Sequence, residues 1–320
     1  MSQASLTQSN PASPVRKRNP ARTWFPYIVL APMLLWFVVF TLYPVLYSLW
    51  TSLHLWTPEV GLASPFVGLK NYVDLFTIDP FFKTAFKNTV LYGLFVTAVV
   101  VPTGYFLAYC LRQIRFFNNG YTFLYFLPYL MPASIIGILF GFFYQPIFGT
   151  VNYMLGQIGL PKPGWLLDPK LAIWTVATVE IWLRVGFATL LTYAGLAALP
   201  NSLLEAARID GAGTWRIFVS VTTPLMSRVL VFVSAVTMIN ALQTFDLIYV
   251  MTRTGGGTGG SPGGPGISTY TMALMVYMEG LQRFQVGPAT AVSTILLAMV
   301  LVFTVLQLRF FRAKWEFYQD

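Results

Sequence analysis

The chain has one cysteine, Cys110, and one histidine, His54, in 320 residues. A lone cysteine excludes an intrachain disulfide framework, and a lone histidine removes most routes to a metal centre or a nucleophile–base pair. Catalysis by this chain is therefore not expected. Charge is scarce as well: 10% of the residues are Asp, Glu, Lys or Arg, against about 25% in an average soluble domain. With 56% of the residues hydrophobic, too few charges remain to solvate a soluble two-domain surface, and that class is set aside. The sequence also lacks a phosphate-binding P-loop. Its Gly-rich segment, GGGTGGSPGGPG at 255–266, has no following Lys-Ser/Thr pair and reads as a flexible, turn-rich connection. The 20 basic residues outnumber the 11 acidic ones, for a net charge of +9. Most of them lie beside apolar segments, where the positive-inside rule accounts for them, so no nucleic-acid partner is expected.

What the sequence has in abundance is long apolar runs, near 27–52, 89–111, 121–145, 171–195, 229–250 and 287–308. Each is long enough to cross a hydrocarbon core of about 30 Å at about 1.5 Å per helical residue. The runs are continuous and do not alternate with period two, which indicates helices and not a β-barrel. The expected fold is all-α, a polytopic membrane bundle of six transmembrane helices. Pro32, Pro44, Pro102, Pro128 and Pro132 are expected to mark kinks or helix ends. Residues 1–23 are rich in Ser, Gln, Asn and Pro and contain Arg16, Lys17, Arg18 and Arg22. They are similar to the charged region of a signal peptide, but the apolar run behind them exceeds the roughly 7–15 residues of a cleavable core. They read as a disordered basic cytoplasmic tail ahead of a membrane domain at 24–312, with a second short tail at 313–320. Assigning loops alternately to two sides places 12 Lys and Arg on the side of the termini and 7 on the other, with Arg184 inside a span. Both termini are therefore expected to be cytoplasmic. The short apolar stretch 267–280 reads as an outer-face helix.

The loop between the fourth and fifth spans, about 196–228, carries the most local information. Pro200 ends the preceding segment, Ser202 with Glu205 three residues later has the spacing of a capping box, and Gly211 or Gly213 suits a left-handed helix stop. This predicts a short helix roughly parallel to the membrane, with Ala206 and Ala207 as a low-relief face. Two readings fit: a docking element for another protein, and a solvated connector in which Glu205 only caps the helix. Elsewhere, Glu180 and Arg184 have the spacing and order of an ion pair along one helix face. Asn240 and Gln243, three apart, share a face of the fifth run with Thr244 close by. Polar groups at such depth usually face a cavity or one another.

The segment EAARIDGAGTWRIFVSVTTP, 205–224, resembles the EAA loop of inner-membrane permease subunits of binding-protein-dependent ABC importers. Glu205, Ala206, Ala207, Gly211 and Pro224 fall at the matching spacing. Val221 stands where the pattern has Ile, and Thr223 where it has Leu. Phe66-Val67-Gly68-Leu69-Lys70-Asn71-Tyr72, Asn88-Thr89, Ala194-Gly195-Leu196 through Pro200, and Phe245-Asp246 leading to Thr252 resemble the carbohydrate-uptake branch, of maltose and glycerol-phosphate type.

This resemblance implies a type I-like importer permease in the bacterial cytoplasmic (inner) membrane. It would pair with a second homologous permease, two cytoplasmic ATPase subunits and an extracytoplasmic solute-binding protein. ATP and Mg would sit on the partner ATPase, and this chain would bind no cofactor. The ATPase-coupling residues would be Glu205, Ala206, Ala207, Arg208, Asp210 and Gly211. In the pathway, Asn240, Gln243 and Thr244 could hydrogen-bond the hydroxyls of a sugar-like substrate, and Phe245, Tyr249 or Trp182 could stack on its ring. Hydrogen bonding between helices is the competing reading for each polar group. A gradient-driven secondary transporter is the alternative function, although no internal repeat is evident.

Overall fold

The computed structural model describes residues 20–56, 59, 64–114, 118–255 and 262–312. Most of the basic N-terminal segment, Arg115, the middle of the Gly-rich connection and the C-terminal tail 313–320 lie outside these. The chain divides into two units, Met1–Tyr47 and Ser48–Asp320. The first contains α1 (Pro20–Phe37), a π-helical segment Val38–Leu42 and the start of α2 (Tyr43–Ser52). The helix thus begins before the expected tail ends. A single helix has no core of its own, and Leu35 and Trp36 are each 66% exposed.

The second unit continues with α3 (Lys70–Thr77), α4 (Phe82–Gln113), α5 (Asn118–Phe126), α6 (Ala133–Phe143), α7 (Thr150–Gln157), α8 (Ala172–Ala197) and α9 (Asn201–Ile209). After these come α10 (Thr214–Arg216), α11 (Thr223–Leu225), α12 (Ser227–Leu242), α13 (Asp246–Gly255), α14 (Met272–Tyr277) and α15 (Val286–Arg312). Among the described residues the only β-type pairing is an isolated bridge between His54 and Phe66.

Four stretches, Val29–Ser52, Phe82–Gln113, Ala172–Ala197 and Val286–Arg309, are long and apolar enough to cross a membrane unbroken. Two bent pairs, Gly120–Leu130 with Ala133–Phe143 at 90° and Thr214–Leu225 with Ser227–Leu242 at 73°, raise the number to six if each pair is one span. Two of the expected runs are broken, and the 73° bend, at Met226, falls ahead of the fifth of them. The third breaks where Pro128 opens a 3₁₀ turn and extended Met131 and Pro132 follow it. The fifth, expected over 229–250, ends at Leu242, and α13 starts after a three-residue gap. The short stretch expected as a helix over 267–280 is helical as α14 only from Met272 and passes into a π-helical segment at Met278–Gln282. The second span starts earlier than Thr89 because the Asp79 carboxylate accepts from the N–H groups of Phe81 (2.7 Å) and Phe82 (3.0 Å). An anion at that position complements the positive end of the helix. Pro102 lies inside the unbroken α4.

In a bilayer, helices associate by close packing more than by escape from water, so small residues mark the contacts. A Cβ on Gly104 of α4 would stand 2.7 Å from Ala188 Cβ of α8, and one on Gly93 would stand 2.6 Å from Leu242 Cδ2 of α12. Ala108, Ala177 and Ala188 are fully buried. The Gly104→Ala variant should thus overpack the α4–α8 contact, at a cost of about 1–3 kcal/mol. A lowered thermal midpoint in detergent checks this.

Hydrogen bonds fasten the end of the unit where α4 begins. Asn71 Nδ2 donates to the carbonyls of Ser52 (2.8 Å) and His54 (3.0 Å), and the hydroxyls of Tyr72 and Ser52 meet at 2.7 Å. Asn88 Nδ2 donates to the carbonyls of Ser268 and Tyr270, both at 3.0 Å, while Thr89 Oγ1 accepts from Met272 N at 2.9 Å. The Asn-Tyr and Asn-Thr pairs singled out in the sequence are thus structural fasteners. Asn88→Asp keeps the shape but turns a donor into a carboxylate facing two carbonyls. Losing these bonds should destabilise by about 1–3 kcal/mol, read from the same melting experiment. Nearby, Arg283 bonds the buried Glu279 at 2.5 Å. Burial pushes the Glu279 carboxyl above its usual range, opposed by Arg283 and aided by Asp79. Burial likewise pushes the Tyr270 hydroxyl up to about 12.

Candidate coupling loop and intramembrane site

The loop helix forms as α9, and none of its residues is buried. Its exposed side chains include Glu205, Ala206, Arg208 and Asp210, and Leu203 is 45% and Ile209 86% exposed. The capping box is absent. Pro200 occupies the N-cap position and Ser202 is already inside the helix, so no side chain caps that end. A different contact anchors that end: Arg112, at the end of α4, donates through Nη2 to the Leu199 carbonyl (3.2 Å) and to Asn201 Oδ1 (3.0 Å). In the sequence Arg112 stood only as one of the charges that set orientation.

The helix stop follows the expected chemistry. Asp210 N bonds the Ala206 carbonyl, Gly211 N bonds Arg208 and Ala212 N bonds Ala207, each at 3.0 Å. The last two are the paired bonds of a Schellman stop. Gly211 supplies the turn at φ +79°, a backbone conformation that a side chain would strain, with nothing within 4 Å of where a Cβ would stand.

Within the spans, Arg184 Nε bonds Glu180 Oε1, and the Thr244 hydroxyl lies 3.0 Å from that same oxygen. Glu180 is 1% exposed and the Arg184 side chain 21%. Thr244 Oγ1 is also 3.0 Å from the Asn240 carbonyl; its one proton serves either oxygen. The structure thus joins the ion pair to Thr244, a link that sequence separation of 64 residues concealed. Asn240 spends its amide on the Val236 carbonyl at 2.9 Å. Gln243 caps the end of α12 and is exposed.

The candidate aromatic residues do not form one group. Trp182 stands 5.3 Å from Phe140. Phe245 and Tyr249 cluster with Tyr277, at centroid distances of 4.7–5.4 Å, and Arg253 Nη1 donates to Tyr249 Oη at 2.6 Å. Phe245 and Tyr277 also line a cavity of about 400 Å³ with Thr290 and Ser293. Tyr277 was missed in the sequence because only the fold brings Met272–Gln282 beside α13, whereas Arg253 follows Tyr249 by four residues on α13 and was legible from that spacing. No group of three or more potential metal ligands occurs among the described residues.

A helical bundle with four to six membrane-length elements and an exposed EAA-type loop helix defines an integral-membrane transport subunit. The chain belongs to the binding-protein-dependent transport system inner membrane component family, whose model matches residues 100–315. It is 32% identical over 295 residues to a probable ABC transporter permease, YurN, of Bacillus subtilis, covering 91% of this chain and 97% of that one. It is also 32% identical to the sn-glycerol-3-phosphate transport system permease UgpA of Escherichia coli (91% and 95% covered), and 31% identical to the sulfoquinovosyl glycerol transport system permease SmoG of Agrobacterium fabrum (90% of each). A chain of a bacterial ABC transporter involved in the import of the acidic polysaccharide alginate has the same fold, with a TM-score of 0.76 at 22% identity over 91% of this chain and 96% of that one. The chain is therefore a permease subunit of a binding-protein-dependent ABC importer, a transport component and not an enzyme, and the gradient-driven alternative is not favoured.

Proposed function

We propose that this subunit forms, with a second homologous permease, the alternating-access pathway for a sugar or related polyol in the cytoplasmic membrane of a bacterium. Two ATPase subunits drive it from the cytoplasmic side, where both termini lie, and an extracytoplasmic solute-binding protein delivers the substrate. ATP and Mg belong to the ATPases. The observation that carries the coupling role is α9, a helix without a buried residue that presents Leu203, Ile209 and the exposed acids Glu205 and Asp210. Such a surface fits a basic, partly apolar cleft, with Glu205 making a charge-assisted contact.

The importer relatives support the sugar or polyol class, since their names specify sn-glycerol-3-phosphate and sulfoquinovosyl glycerol. In the pathway, Phe245 and Tyr249 are the groups best placed for a hydroxylated ring; Asn240 is occupied on its own helix and the buried Thr244 on Glu180 and Asn240. Glu180, paired with Arg184, reaches Thr244 in the break of the fifth run. Purification of the tagged protein from mild detergent tests the reading: an ATPase and a second permease should co-purify. A folded protein recovered alone, also after crosslinking in the membrane, would overturn it.

A further inference from the structure

The coupling loop is attached to the rest of the protein at both of its ends, and each attachment is made by the same face of α4. Tyr105, Tyr109 and Arg112 are spaced four and three residues apart, so they share one helix face. At the entry to α9, Arg112 bonds the Leu199 carbonyl and Asn201 Oδ1. At the exit, Tyr109 Oη donates to the Thr214 carbonyl at 3.4 Å. There the Phe218 ring stands 4.9 Å from Tyr105, 4.6 Å from Tyr109 and 5.4 Å from Trp215.

The backbone of Phe218 is held as well. It lies in a π-helical segment, Ile217–Thr222, and its carbonyl accepts from both the N–H and the hydroxyl of Thr223, the latter at 2.8 Å. Because the Thr223 proton is spent there, Tyr105 donates its own to Thr223 Oγ1, 3.1 Å away. Thr223 is the position where the loop departs from the Leu of the family pattern. The chain Tyr105–Thr223–Phe218 gives the departure a structural role. Beside Tyr105, α4 meets α8 through the close approach of Gly104 to Ala188.

We infer that Tyr105, Tyr109 and Arg112 grip the coupling loop so that α9 and α4 move as one body, and that α4 carries the displacement of the loop into the bundle. The inference rests on the coupling role proposed for α9. It makes the three residues positioning residues, which touch neither substrate nor ATPase.

Spin-label distances in the intact transporter complex test it. Cys110→Ser removes the one native thiol, after which labels are placed at Ser202→Cys on α9 and Leu94→Cys on α4, both at exposed sites. The wild-type grip should give one narrow distance that is the same without nucleotide and in the ATP-bound, vanadate-trapped state. Arg112→Gln with Phe218→Ala should broaden that distribution or make it differ between the two states. Substrate uptake should then be lost while the ATPase still co-purifies and hydrolyses ATP. Arg112→Lys, which keeps a donor at the entry, should retain more of the narrow distribution than Arg112→Gln. A wild-type distance that changes between nucleotide states would overturn the inference, as would a double variant that keeps the narrow distance in both. Failure of the ATPase to co-purify with the wild type would instead sink the coupling reading itself.

Discussion

Replacing Glu180 by alanine should lower the stability of the protein by about 3–5 kcal/mol, because it leaves the Arg184 guanidinium partly buried without its partner. Glu180 is 1% exposed, and its Oε1 gathers both Arg184 Nε and the Thr244 hydroxyl. Removing the carboxylate frees Thr244 to bond the Asn240 carbonyl at little cost, so most of the loss falls on Arg184. The Arg184 side chain retains 21% exposure, which places the effect toward the lower end of that range. The double variant Glu180→Leu with Arg184→Leu should recover most of the lost stability, since an apolar pair of similar volume often matches or exceeds a buried ion pair. Thermal midpoints of the purified single and double variants check this. A double variant that regains its midpoint but imports nothing would show that the pair serves transport. One that regains both would show that the pair is structural.

The sequence carried the helical class and the membrane setting plainly, because continuous apolar runs have few alternative explanations. It failed where the backbone departs from one helix per run. At the break, Gln243–Phe245, the Thr244 hydroxyl has two acceptors for its one proton, the Asn240 carbonyl behind it and Glu180 across from it. The second of these contacts depends on the approach of α8, which no local pattern encodes. The break around Pro128 and Pro132 was legible as proline chemistry, but its 90° angle was not. In the loop, Gly211 announced its own left-handed turn because only local bonds are involved. The N-terminal end of α9 was misread for the opposite reason: Arg112, 89 residues away from Asn201, anchors it from α4 by donating, where a capping side chain would accept.

That absence of a cap bears directly on Glu205. Among the described residues its carboxylate makes no contact that holds α9 together: the side chain is exposed, the helix start is secured by Arg112 and the helix stop by Gly211. Glu205→Lys should therefore leave the stability of the subunit within about 0.5 kcal/mol, the usual range for an exposed substitution without a special role. Its effect on transport should be large. A charge-assisted hydrogen bond contributes about 1.5–3 kcal/mol, and setting a like charge against a basic cleft costs several kcal/mol more. At about 1.4 kcal/mol per factor of ten, ATPase affinity should fall by about a hundredfold or more. The expected outcome is a membrane-inserted protein with an unchanged melting midpoint that has lost its ATPase and its uptake while keeping the second permease. Loss of the subunit itself would mean that Glu205 supports the fold, and retention of the ATPase with normal uptake would remove Glu205 from the coupling contact.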